Sequence, residues 1–347
     1  MDWSRRQAMT ALPSFAATMA CSHSREQSAT DAWVDVRSDA LADVLDPSGA
    51  VQELARGFTW SEGPAWDRTR GCLYFSDVPE NKAYRWSAEE GLATFLAPSG
   101  IDASHAHGFR ELGSNGLWCA DDGSLFICNH GRRAVERLDI ESGGRSIVVS
   151  HYQGRAFNSP NDLVFARDGT LYFTDPPYGL EGLSHSPLKA MEENGVYRRR
   201  PSGAVERILD DMTFPNGVAL SPSEDALYIS QSDPDDHYIR RLILGENGSV
   251  VADERWFEAS ALSAAGEPGL CDGLAVAADG TVFAAGPGGV LILDPEGRLL
   301  GRIVLGGPTG NCTFGEDGRS LFITSGQRLV KVRTKALGLR WATGAFS

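Results

Sequence analysis

The chain has 347 residues, of which 42% are apolar and 22% charged, a composition typical of a globular protein with a large core. The net charge of −14 argues against a nucleic-acid-binding surface, which needs a basic patch. No apolar run is long enough to span a bilayer. The six cysteines have neither the spacing of a zinc site nor the density of a disulfide scaffold.

The N-terminal segment differs in composition from the rest of the chain. The pair Arg5-Arg6 precedes a short, mildly apolar stretch that ends at Ala20, a pattern typical of a bacterial twin-arginine export signal. We therefore expect residues 1–30 to be an export signal with a polar linker, and the protein to be periplasmic. A disordered tail on a cytoplasmic protein is the alternative. Residues 31–347 are predicted to form one domain.

An internal repeat dominates the remaining sequence. In each copy a polar residue begins a short apolar strand, a turn rich in Asp and Gly follows, and a second apolar strand comes next. Asp-Gly between apolar runs, as at Asp168-Gly169, is a strong hairpin signal because tight turns need residues that tolerate positive φ. The six copies begin at Glu62, Asn115, Asn161, Asn216, Asp272 and Asn311.

Further strands follow each hairpin, for example Gly195 to Arg198 and Ala204 to Leu209 in the third copy. Four strands per repeat and almost no helical pattern predict an all-β fold, a six-bladed β-propeller with four-stranded antiparallel blades around a central channel. No strand after Val332 clearly completes the last blade. The segment Val51 to Gly57 is predicted to supply it and so to close the ring.

The shared register places the six starting residues near one mouth of the channel. They are two carboxylates and four amides, and each can present an oxygen. Calcium accepts six to eight such oxygens, whereas zinc prefers Cys and His, which are absent from these positions. The alternative is that these residues cap strand ends and bond to the backbone, as Asn and Asp often do. Six such polar residues in the same register favour a divalent cation on the axis.

Five motifs, spread over four of the six repeats, resemble a known family. They are Glu62-Gly-Pro, Asn158-Ser-Pro-Asn-Asp162, Thr174-Asp-Pro-Pro-Tyr178, Phe214-Pro-Asn-Gly217 and Cys271-Asp-Gly273. The sequence resembles the gluconolactonase branch of the family that includes senescence marker protein and luciferin-regenerating enzyme, over about residues 50 to 333. The resemblance implies a six-bladed propeller with one divalent cation on its axis, usually Ca²⁺, with Mg²⁺, Mn²⁺ or Zn²⁺ as alternatives.

Carried over by position, the resemblance implies a metal site made of Glu62, Asn161, Asn216 and Asp272. Not every family member uses the first Asn as a ligand, so Asn161 is also a candidate contact for substrate or for a metal-bound water. The implied reaction is hydrolysis of a small-molecule sugar lactone such as glucono-1,5-lactone to the aldonic acid. Asp272 is the first candidate for the general base and Glu62 the second.

Three further residues complete the predicted substrate site with Asn161. They are Asn115, Tyr178 and His107. Tyr178 lies in the long connection from Asp175 to Asn194, which is predicted to form a lid or pocket wall. A histidine at the channel mouth is a competing candidate for the base, although we expect His105, His107 and His130 to be surface-loop histidines.

Two other functions remain open at this stage. A phosphotriesterase-type hydrolase can use the same four metal ligands, and a non-catalytic binding propeller can carry a structural metal. The sequence contains no Gly-x-Ser-x-Gly nucleophile motif and no phosphate-binding loop.

Overall fold

The computed structural model describes residues 32–342. The predicted export signal and linker at residues 1–30 lie outside this range. Within it, antiparallel sheets form six blades, and the innermost strand of each blade contacts that of the next. The innermost strand of blade 6 contacts that of blade 1, so the ring is closed. The predicted six-bladed propeller is therefore confirmed.

The strands of each blade follow from the axis outward. Blade 1 contains Ser61–Asp67, Cys72–Asp77, Lys82–Ser87 and Gly91–Leu96. Blade 2 contains Ser114–Cys119, Ser124–Asn129, Ala134–Asp139 and Arg145–Val149. Blade 3 contains Leu163–Phe165, Leu171–Asp175, Gly195–Arg199 and Val205–Leu209. Blade 4 contains Pro215–Leu220, Ala226–Asp233, Asp236–Leu244 and Val250–Glu258.

Blades 5 and 6 both take an outer strand from the N-terminal part of the described chain. Blade 5 contains Leu274–Val276, Val282–Gly286, Gly289–Leu293, Leu299–Val304 and a fifth strand, Trp33–Val36. Blade 6 contains Asn311–Gly315, Ser320–Ser325, Arg328–Arg333 and Val51–Arg56. Val51 lies opposite Val332, which confirms the predicted closure. The fifth strand of blade 5 has no counterpart in the sequence prediction.

Helices are few and short. The α-helices are Leu41–Val44, Ser260–Ala264 and Leu339–Ala342, and the 3₁₀ helices are Ala103–His105 and Leu183–His185. A two-stranded hairpin, His151–Tyr152 with Arg155–Ala156, follows blade 2. No helix within residues 32–342 is long and apolar enough to cross a membrane.

The apolar core lies between the faces of successive blades. The second strand of blade 3, Leu171–Asp175, is buried along its whole length because other blades cover both of its faces. In the cluster between blades 3 and 4, Val164 and Val196 pack with Val218 and Ile229. The blades therefore hold the inner strands rigidly, which fixes the residues that begin them.

Removing the closing strand should destabilise the whole ring. Deleting residues 1–56 removes Val51–Arg56, leaves Arg328–Arg333 as an open edge, and removes Leu41 and Leu45 from the core cluster they share with blades 5 and 6. We expect a loss of more than about 5 kcal/mol, comparable to the total stability of many domains. Thermal unfolding followed by circular dichroism measures it.

The matched control deletes only residues 1–31, which leaves every strand described above in place. Its melting temperature should stay close to that of the full chain. Equal melting temperatures for both deletions would show that blade 6 does not depend on its N-terminal strand.

Candidate active site on the propeller axis

The six residues that begin the repeats lie at equivalent places in the blades. Each begins the innermost strand of its blade or stands within two residues of its start. Five of them are buried, and Asp272 keeps partial exposure. They are Glu62, Asn115, Asn161, Asn216, Asp272 and Asn311.

Close backbone packing joins these residues from blade to blade. A Cβ atom at Gly63 would lie 2.0 Å from the backbone oxygen of Asn115, and one at Gly217 would lie 2.3 Å from that of Asp272. Only glycine permits such an approach. The glycine that follows the polar residue in four of the six repeats is thus explained by the narrowness of the ring.

Glu62 is held in blade 1 by two donors. Its Oε1 accepts a hydrogen bond from Trp60 Nε1 at 3.2 Å, and its Oε2 accepts one from the Gly63 N–H at 2.9 Å. Burial raises the pKa of Glu62 to about 7, and the nearby carboxylate of Asp162 adds to the rise despite these donors. The carboxylate therefore lies in an environment that resists negative charge.

Asp272 in blade 5 belongs to the same electrostatic cluster. Burial raises the pKa of its carboxyl well above the usual range, and repulsion from Glu62 and Asp162 adds to this. The hydrogen bond from the Gly273 N–H only partly opposes the rise. Glu62 and Asp272, which are far apart in sequence, are thus brought close enough to repel each other.

Asp162 is a third buried carboxylate in this cluster, and sequence reasoning gave it no role. It accepts hydrogen bonds from the Leu163 N–H at 2.9 Å and the Val218 N–H at 3.3 Å, so it links blade 3 to blade 4. Burial raises its pKa to about 6. The sequence does distinguish this residue, because Asp162 stands at a position where four other repeats have glycine.

Asn311 presents its NH₂ group rather than its oxygen to the axis. Its Oδ1 accepts the backbone N–H of Cys312 at 2.8 Å. Its side chain bonds to Glu62 and Asp162, which opposes the rise in pKa that burial causes in both. Asn311 thus directs its NH₂ group to the two carboxylates, while its oxygen accepts a hydrogen bond from the backbone.

Tyr178 lies in the wall of the site. Its ring stacks on Phe214 with centroids 5.4 Å apart, and its hydroxyl bonds to Ser232 and Asn216. Burial raises the pKa of Tyr178 above its usual range, and the nearby Asp272 adds to the rise, so the phenol stays protonated. The six residues that begin the repeats are called the axial residues below. The long connection predicted as a pocket wall brings Tyr178 close to two of them, Asn216 and Asp272.

The histidines differ from one another in their surroundings. His107 and His105 are exposed on the connection between blades 1 and 2, and the role of His107 in substrate binding stays a prediction. His130 was expected on the surface, and this expectation is wrong because its side chain is fully buried. The sequence gives no sign of this, since the covering residue, Gly179, comes from the connection within blade 3.

Beyond the starting residues, the inner strands surround a cavity of about 130 Å³. Asp162 and Asn311 border it, and Leu163, Val218 and Leu274 are among its apolar lining residues. Leu339, Arg340 and Trp341 of the C-terminal helix also line it. The polar cluster therefore borders a cavity that the inner strands of all six blades line.

The axial residues fit a hard divalent cation better than a zinc-type ion. No three His, Cys, Asp or Glu side chains within residues 32–342 come close enough together to hold a metal ion. Glu62 and Asp272 supply two negative charges that repel each other, and a divalent cation would neutralise both. Asn161 and Asn216 begin the inner strands of blades 3 and 4, between the blades that carry the two carboxylates.

Comparisons with known proteins identify the family of this chain. Residues 60–327 match the family described as "SMP-30/Gluconolactonase/LRE-like region". A gluconolactonase from Zymomonas mobilis is 39% identical over 95% of this chain and 94% of its own length. A pentonolactonase from Haloferax volcanii is 24% identical over 76% of this chain and 80% of its own length.

Solved structures show the same relationship. A gluconolactonase from Xanthomonas campestris has a TM-score of 0.74 and 31% identity, covering 89% of this chain and 99% of the other. A regucalcin from Agrobacterium tumefaciens, described as a calcium-binding protein, has a TM-score of 0.65 at 17% identity over 83% of this chain and 95% of its own, which shows the shared fold. The chain belongs to the SMP-30/gluconolactonase/LRE-like family and is a lactone-hydrolysing enzyme of that family.

Proposed function

We propose that this enzyme uses a bound calcium ion to hydrolyse a sugar lactone such as glucono-1,5-lactone to the aldonic acid. The observation that carries this proposal is the pair of mutually repelling carboxylates, Glu62 and Asp272, at the axis of a propeller of this family. The gluconolactonases from Zymomonas mobilis and Xanthomonas campestris support the substrate class. The pentonolactonase leaves the size of the sugar open.

Four residues would hold the metal ion. Glu62 and Asp272 contribute the negative charges, and Asn161 and Asn216 contribute amide oxygens. When bound, the ion polarises the lactone carbonyl and stabilises the negative charge that develops on its oxygen. Magnesium, manganese and zinc are the other ions to be tested at this site.

The protein's own part in the reaction is to activate water. Asp272 is the proposed general base and takes a proton as the water oxygen bonds to the carbonyl carbon. The bond between that carbon and the ring oxygen then breaks, and the proton passes to the ring oxygen, which becomes a hydroxyl group. Glu62 is the second candidate for this proton transfer.

Polar groups around the axis are suited to a polyol. Asn115, Asn161 and the hydroxyl of Tyr178 can exchange hydrogen bonds with the hydroxyl groups of a sugar lactone. Tyr178 is already positioned by its bonds to Ser232 and Asn216. His107 is proposed as an outer contact to the substrate.

A direct test compares glucono-1,5-lactone with an aryl phosphotriester, each with calcium and with a chelator. We expect turnover of the lactone to fall by at least about a hundredfold when the metal is removed, and to return when calcium is added. Magnesium, manganese and zinc are added in parallel. Faster turnover of the phosphotriester than of any lactone would favour phosphotriester hydrolysis, and full lactone turnover in chelator would reject metal dependence.

A further inference from the structure

His130 lies immediately outside the ring of axial residues and contacts one of them, Asn115. It follows the strand Ser124–Asn129 of blade 2, and its backbone N–H donates to the Gly113 carbonyl at 3.1 Å. A Cβ atom at Gly179 would lie 2.8 Å from His130 Cβ, so the connection within blade 3 packs tightly against it. The imidazole is therefore fully buried and has little freedom to move.

The two ring nitrogens of His130 face different partners. Nδ1 lies 3.5 Å from Glu111 Oε2, within ion-pair range, but it makes no hydrogen bond within residues 32–342. Nε2 lies 3.4 Å from the amide nitrogen of Asn115. The imidazole thus stands between a carboxylate and one of the axial amides.

This arrangement selects one tautomer of neutral His130. The Glu111 carboxylate lies nearer to Nδ1 and can only accept a hydrogen bond, so its position favours a proton on Nδ1. Nε2 then carries a lone pair, which matches the donor character of the Asn115 NH₂ group. With that group committed to His130, the amide oxygen of Asn115 is the end left for the axis. Asn311 is held in the opposite sense, with its oxygen committed to the Cys312 N–H.

We propose that Glu111 and His130 are a positioning pair that holds the amide oxygen of Asn115 toward the axis, where it accepts a hydrogen bond from a hydroxyl group of the substrate. This inference rests on the proposed function, because it requires a hydroxylated lactone at the axis. A site built to bond a hydroxyl discriminates against analogues that lack it, since its polar group is then left without a partner. The pair therefore acts on substrate selection rather than on bond cleavage.

The test compares glucono-1,5-lactone with δ-valerolactone, which has the same ring size and no hydroxyl groups. In His130→Phe, which cannot hold Asn115, we expect kcat/KM for glucono-1,5-lactone to fall about tenfold, the loss of roughly one neutral hydrogen bond. The value for δ-valerolactone should change less than about twofold. His130→Gln offers an acceptor again and should recover part of the loss. An equal fall for both lactones would reduce His130 to a structural residue and overturn the proposal.

A matched control is His237→Phe. His237 is also buried, but it bonds to Ser263 in the helix Ser260–Ala264 that follows blade 4, and its described hydrogen bonds reach none of the axial residues. This variant should leave the ratio of the two kcat/KM values unchanged. If His130→Phe does not fold, Glu111→Gln tests the same pair, and it should lower the same ratio.

A measurement without substrate separates this inference from the proposed function. In metal-free protein labelled with ¹⁵N-histidine, a two-bond ¹H–¹⁵N spectrum reports which ring nitrogen of His130 carries the proton, with His130→Gln identifying its signals. We expect the Nδ1–H form. The Nε2–H form would overturn the positioning pair even in an active lactonase. The Nδ1–H form in a protein inactive on all lactones would instead refute the proposed function.

Discussion

Replacing Asp272 with alanine is expected to lower kcat/KM for glucono-1,5-lactone by at least about a thousandfold, because the change removes both the proposed base and a metal ligand. Steady-state rates at saturating calcium measure the effect. Asp272→Asn keeps the size of the side chain and should be nearly as inactive, since an amide neither takes the proton nor neutralises the ion.

The same Asp272 variants are expected to be more stable than the wild type when no metal is bound. In the metal-free protein Asp272 is repelled by Glu62 and Asp162, so removing its charge should raise the melting temperature above pH 7. Asn115→Ala is the control, because Asn115 lies outside the proposed metal set. It should bind calcium in a titration about as well as the wild type. Normal lactone turnover in Asp272→Ala would refute the site assignment.

The metal-free protein should lose stability as the pH rises from about 4.5 to above 7. Burial raises the pKa of Glu62 from 4.5 to about 7 and that of Asp162 from 3.8 to about 6. In this range the folded state therefore binds more protons than the unfolded state, and such a group destabilises the fold as the pH increases. Calcium should reverse the trend, because a cation at the axis favours the charged carboxylates.

Thermal unfolding with calcium and with a chelator, at pH 5 and at pH 8, measures this effect. The rise in melting temperature on adding calcium should be larger at pH 8, and a calcium concentration one hundred times the Kd stabilises by about 2.7 kcal/mol. Asp175, whose pKa burial raises to about 7, contributes a similar trend away from the axis. Its contribution should be the same with and without calcium, so the difference isolates the axial site. An equal calcium effect at both pH values would contradict the proposed ligands.

The repeat made the architecture predictable, because each hairpin signal and each inner strand is local in sequence. Even the closing strand was predictable, since the last blade lacked an outer strand and Val51 to Gly57 had been assigned to no other blade. The fifth strand of blade 5, Trp33–Val36, was not predictable, because its partner Leu299–Val304 already completes a four-stranded blade. A short strand that adds to an already complete sheet fills no gap, so the sequence does not indicate where it pairs.

The candidate site was predictable only in part, for the same physical reason. Register indicated which residues reach the axis, but not which end of an amide they present, because that depends on contacts such as Cys312 N–H with Asn311. The burial of His130 likewise depends on a connection from another blade. Asp162 was overlooked because reasoning from equivalent positions favours residues that follow the repeat over one that departs from it.

The closure of blade 6 also affects the order in which the protein can be completed during synthesis. The segment Val51–Arg56 leaves the ribosome well before its partner Arg328–Arg333, because blades 1 to 5 lie between them in the sequence. Until then the early strand has an unpaired edge, and such edges invite association with other chains. Contacts between residues so distant in sequence also form slowly. We therefore expect the nascent chain to depend on protection from aggregation until its last blade has been made.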